Sequence, residues 1–111
     1  METIVMSQKE LPRKFQFVSQ KHPEIAKAVE ELGKAAKQAG PIEGKNAQLI
    51  QLAAAASIRS EGAVHSHTRR ARDAGANREE IHHAILLLTS TIGFPTVVAA
   101  LSWVDDVLDQ D

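Results

Sequence analysis

Ser60-Glu61-Gly62-Ala63-Val64-His65-Ser66-His67-Thr68-Arg69-Arg70-Ala71-Arg72-Asp73-Ala74-Gly75-Ala76-Asn77-Arg78-Glu79-Glu80-Ile81 reads as one helix, its stop and the start of the next. Ser60 is an N-cap residue, and Glu61 behind it lies where a carboxylate meets the positive end of the helix dipole. The helix runs to about Ala74, and Gly75 supplies the left-handed residue that closes it. Asn77 caps the following helix, with Glu80 three residues later in the spacing of a capping box.

Outward from this core the chain keeps a helical period. Upstream, Leu49, Ile50, Leu52, Ala53, Ala54, Ala55, Ala56 and Ile58 lie in a helix from about Lys45 to Arg59 with almost no polar face in its second half. Such a helix is buried in a core or an interface. Before it, Pro23 opens a helix whose apolar residues Ile25, Ala28, Val29, Leu32, Ala36 and Ala39 recur at spacings of three and four, and Gly40-Pro41 ends it. A short helix is expected after Pro12, with Phe15 and Val18 on one side, and residues 1–8 form a loose tail. Downstream, the Asn77-capped helix carries Ile81, Ala84, Ile85, Leu86, Leu87, Leu88 and Ile92 as far as the break at Gly93-Phe94-Pro95. A last helix carries Val97, Val98, Leu101, Val104 and Leu108. No alternating strand pair or hairpin signal is present. The expected fold is all-α, a single compact bundle of about five to six helices.

Composition bounds the function. A chain of 111 residues is one core's worth of protein, and with aromatics at 4% that core must be built from Ala, Leu, Ile and Val. A formal net charge of −1 leaves no electrostatic footprint for nucleic acid. No apolar run reaches the roughly 18 residues of a membrane span, and no signal pattern opens the chain. A cytoplasmic location is expected. There is no cysteine, so thiol and disulfide chemistry are excluded.

The quoted segment, the Ala74-Gly75-Ala76-Asn77 turn with Glu80-Ile81, and the Gly93-Phe94-Pro95 break together resemble the carboxymuconolactone decarboxylase family, which includes the alkylhydroperoxidase D-like proteins. The resemblance covers about residues 22–109, with 1–21 as an N-terminal tail and short helix. Redox members of that family carry Cys-x-x-Cys-x-x-x-His at the start of a helix. Here Ser60 and Ala63 stand at the two cysteine positions and His67 at the histidine. The resemblance also implies an acidic residue in the preceding helix, where this chain has Gln48. It implies a carboxylate near position 63 in the decarboxylase branch, where this chain has Ala63.

The peroxidase dithiol is therefore missing. The candidate catalytic residues are His67 as an acid–base group, with Gln48 and Ser60 as hydrogen-bonding partners. Ser60 is also read as a helix cap, and His67 as a structural histidine. The expected ligand is a small carboxylate, lactone or peroxide-type molecule; the alternative is a non-catalytic oligomeric binding or scaffold protein. No cofactor is expected. His65, His67 and His82 or His83 could meet around a metal only across a subunit boundary, and no metal is assigned. Arg69, Arg70 and Arg72 with Lys45 could line an anion pocket, or pair with Glu61 and Asp73. The surplus apolar surface points to a homo-oligomer, a trimer or hexamer.

Overall fold

The computed structural model describes residues 13–110, and the expected N-terminal tail lies outside them. Among the described residues all regular structure is helical: α1 (Arg13–Lys21), α2 (Pro23–Gln38), α3 (Gly44–Ser57), α4 (Glu61–Asp73), α5 (Arg78–Leu86), α6 (Thr89–Ile92) and α7 (Phe94–Leu108).

The chain divides into two compact units at Pro41/Ile42, where one bundle was expected. The first holds α1 packed on α2. Helix α2 starts with Pro23 in its first turn, and its stripe residues Ile25, Val29 and Leu32 are exposed. The second unit, α3 to α7, contains the hydrophobic cluster. Leu52 and Ala56 of α3, Val64 and Ala71 of α4, Ile81 and Ile85 of α5, and Val97, Ala100 and Val104 of α7 are all fully buried there. Small alanines at these contacts let helix backbones approach closely. Trp103, the single tryptophan, packs against the cluster from its edge.

Helices α3 and α4 form an antiparallel hairpin closed at Ile58-Arg59-Ser60. Ser60 N–H donates to Ala55 O (3.1 Å) and Arg59 N–H to Ala56 O (3.0 Å), the paired bonds of a Schellman turn. Its left-handed residue is Arg59 at φ 58°, whose guanidinium donates to Thr96 Oγ1 on α7. The same turn closes α4, with Ala76 N–H on Ala71 O (2.9 Å), and there Gly75 at φ 103° takes the left-handed position as read from sequence.

The expected helix from Asn77 to Ile92 is interrupted. After Leu86 the backbone tightens, Leu88 N–H donating to Ile85 O (3.0 Å), and a separate turn, α6, follows. The Thr89 hydroxyl donates to Leu86 O (2.8 Å) and satisfies a carbonyl that a continuing helix would have used. This break accounts for the segment beyond the five to six expected.

Candidate functional site

Each sequence candidate lies in the second unit. Ser60 is the N-cap of α4; its Oγ accepts the Ala63 N–H at a long 3.4 Å. His67 sits one helical face on from the cap: residues 60, 63 and 67 are three and four apart and share one side of α4. It is half-buried, neither sealed in the core nor on open surface. Gln48 and Gln51, three apart on α3, share a face in the same way. At 1.5 Å rise per residue, Gln51 and His67 both lie roughly 10 Å from the hairpin turn, and Gln48 about 15 Å. The side-chain oxygens Gln48 Oε1 and Gln51 Oε1 are buried with no hydrogen-bond partner among the described residues. Gln51 was not singled out from sequence; its spacing from Gln48 was the available signal.

A second feature lies between α3 and α5. An open groove of about 540 Å³ is lined mainly by apolar side chains, among them Ile42, Leu49, Ile50, Leu87 and Leu88, with Asn46, Glu80 and His83 as polar members. None of Gln48, Ser60 or His67 lines it. Ile50 and Leu87 are 54% and 63% exposed, so the groove offers apolar surface to solvent.

Glu80 is one of the groove's lining residues. Its Oε1 accepts the Asn77 N–H (3.0 Å) while Asn77 Oδ1 accepts the Glu80 N–H (2.8 Å), completing the capping box. Its Oε2 receives Lys45 Nζ at 2.7 Å, tying α3 to α5. The Lys45 bond, then the Asn77 N–H, hold the Glu80 carboxyl below its ordinary value. Lys45 is thereby paired with Glu80. Of the remaining candidate anion-binding residues, Arg72 lies 3.4 Å from Asp73.

The sign of the Glu80 effect follows directly. A carboxylate with a lowered folded pKa stabilises the fold above the ordinary glutamate range, and that contribution fades as pH falls through the lowered value. Glu80→Gln is expected to flatten the acid limb of stability against pH, since Gln can still accept the Asn77 N–H but cannot hold the lysine charge. Urea midpoints of both proteins, measured from neutral pH downward, check this; identical acid limbs would refute it.

The profile of the carboxymuconolactone decarboxylase family matches residues 23–106. The chain belongs to that family. No match to a curated protein or to a solved structure reaches significance. The family match runs through α2 to α7 and so includes Gln48, Ser60, Ala63 and His67. This member of the carboxymuconolactone decarboxylase family contains no cysteine anywhere in its sequence.

The other histidines pair in ways the sequence did not show. His82 lies 2.7 Å from Asp105 on α7 rather than on its helical neighbour Glu79. Arg78 reaches the same Asp105 (3.2 Å), Asp109 (2.8 Å) and the Leu108 carbonyl (3.2 Å), so α5 is laced to the end of α7. His65 contacts Asp106 (3.1 Å), and His83 lines the groove. These histidines therefore go to different places, and the set of His65, His67 and His82 or His83 weighed for a metal is not assembled within the second unit. Among the described residues no helix is long and apolar enough to cross a membrane.

Proposed function

We propose that this chain is a dithiol-free member of its family that binds a small carboxylic acid, lactone or peroxide-type molecule, with His67 as acid–base group and Gln48 as a hydrogen-bonding partner. One observation carries the reading: the two buried amide oxygens of Gln48 and Gln51 have no partner among the described residues. Leaving a buried polar atom unpaired costs about 1–3 kcal/mol, a cost a protein retains where a ligand repays it. An amide can present either its oxygen or its NH2 group, so the pair suits a hydroxyl, a carboxylic acid or a lactone carbonyl. Half-buried His67 on the adjoining helix supplies an imidazole that can donate or accept a proton. Ser60, engaged at the helix N-terminus, keeps a lone pair for the same molecule.

A second reading, a non-catalytic oligomeric binding or scaffold protein, is favoured by the exposed apolar groove between α3 and α5. That surface suits a homo-oligomer, a trimer or hexamer, under either reading.

A thermal-shift screen over small carboxylic acids, lactones and organic peroxides tests the proposal. A true ligand at a hundredfold excess over its Kd is expected to raise Tm by on the order of 10 °C. The rise should vanish in His67→Ala and in Gln48→Met. The Gln48→Met variant without ligand should itself be more stable by about 1 kcal/mol, because an apolar side chain of similar shape and helix propensity replaces an unpaired amide. A ligand that stabilises both variants as well as the parent, or a Gln48→Met that is destabilised, would overturn the reading and leave the scaffold.

A further inference from the structure

Glu61 and His65 stand four residues apart on α4, and Asp106 reaches them from α7. His65 Nε2 lies 3.1 Å from Asp106 Oδ2 and 3.9 Å from Glu61 Oε2, and the three donor atoms all lie within 4.8 Å of one another. An ion held at zinc's 2.0–2.1 Å bond lengths in tetrahedral geometry needs its donors about 3.3 Å apart. The observed spacings bracket that value, so small rotamer changes would close the set on a metal.

The charge balance points the same way. Neither Glu61 nor Asp106 makes an ion pair with a lysine or arginine among the described residues; the imidazole is their common neighbour. The two carboxylates bring two negative charges that no lysine or arginine among the described residues balances. One imidazole with two carboxylates suits divalent transition ions over calcium, which prefers an all-oxygen shell. The side chains are half-buried to exposed, which leaves room for water to complete the coordination.

We propose that Glu61, His65 and Asp106 form a binding site for a divalent transition-metal ion of the zinc class, clamping α4 to α7. The site is distinct from the ligand-binding reading of the preceding section. Residues two apart on a helix point about 200° from one another, so His65 and His67 serve opposite sides of α4.

The test is titration of Zn²⁺, and of Co²⁺ as a spectroscopic probe, into the untagged full chain. Calorimetry is expected to show one ion per chain with a micromolar Kd, and bound Co²⁺ to develop the visible absorption of a four- or five-coordinate site. His65→Gln, Asp106→Asn and Glu61→Gln should each weaken binding by at least about tenfold, the loss of one ligand from three. His82→Gln, which touches the neighbouring Asp105 pair, should bind as the parent does. Circular dichroism confirms that the surface variants stay folded. Absence of saturable binding below about 1 mM, an affinity too weak for a three-ligand site, would overturn the proposal. Binding that survives all three substitutions, or that is lost with His82→Gln instead, would also overturn it.

Discussion

Leu52→Ala is expected to lose about 3–4 kcal/mol of stability, read as a lower urea midpoint at unchanged slope. Leu52 is 0% exposed on α3 and belongs to the cluster that joins α3, α4, α5 and α7. The substitution removes the transfer energy of the lost methyl and methylene groups and leaves a cavity. How much of that cavity persists depends on whether the walls can close. Here the walls include the small buried residues Ala56, Ala71 and Ala100, while partly buried Leu49, Leu88 and Leu101 pack against the cluster and can close part of the space. The cost therefore falls in the middle of the usual range. Against a total of about 5–15 kcal/mol for a domain, it removes a large share of the margin. Ile58→Ala is the control: at 75% exposure Ile58 contributes little, and its substitution should leave the midpoint within about 0.5 kcal/mol of the parent. Equal effects at the two positions would mean that the core is not where the structure places it.

Hydroperoxide supplied with a dithiol donor is expected to remain unreduced above the protein-free rate. Reduction by the family's dithiol passes the peroxide's two-electron oxidation to a thiolate and then to a disulfide. A thiolate at a helix N-terminus is stabilised for that step. Position 60 has the helix N-terminus without the sulfur: Ser60 Oγ is held as a cap on Ala63 N–H, and a hydroxyl neither ionises near neutral pH nor forms a disulfide. Ala63 has no reactive atom. Peroxide consumption coupled to dithiol oxidation, followed spectrophotometrically with a cysteine-containing peroxidase as positive control, checks the expectation. Turnover by the purified chain would require an electron path unrelated to positions 60 and 63.

Much of the fold was legible because its signals are local. The Asn77–Glu80 capping box, the Ser60 cap and the Gly75 stop each involve residues within three or four positions, and each formed as read. The family was legible for the same reason, since its motifs are short and contiguous. The break between α5 and α6 was not. Apolar Leu86-Leu87-Leu88 continues a helical period, and only the tightened turn and the Thr89 bond to Leu86 O end it. Surplus apolar surface was legible in the sequence, and exposed Ile50 and Leu87 fit it, but that α3 and α5 shape it into a groove was not. Of the candidate site, Gln48, Ser60 and His67 could be named from motif positions, but the stranded oxygens of Gln48 and Gln51 are a property of packing.

The sequence by itself determined where most helices start and stop, which family the chain resembles, and that no thiol is present for redox work. The tertiary structure alone decided which aspartate of α7 His65 and His82 each meet. Asp105 and Asp106 are neighbours in the chain, but successive residues on a helix diverge by about 100°. One therefore turns to α5, where His82 and Arg78 reach it, and the other to α4, where His65 waits beside Glu61. That partition depends on how α7 is rotated against its neighbours, which is set by the burial of Val97, Ala100 and Val104 and not by any local pattern of charges.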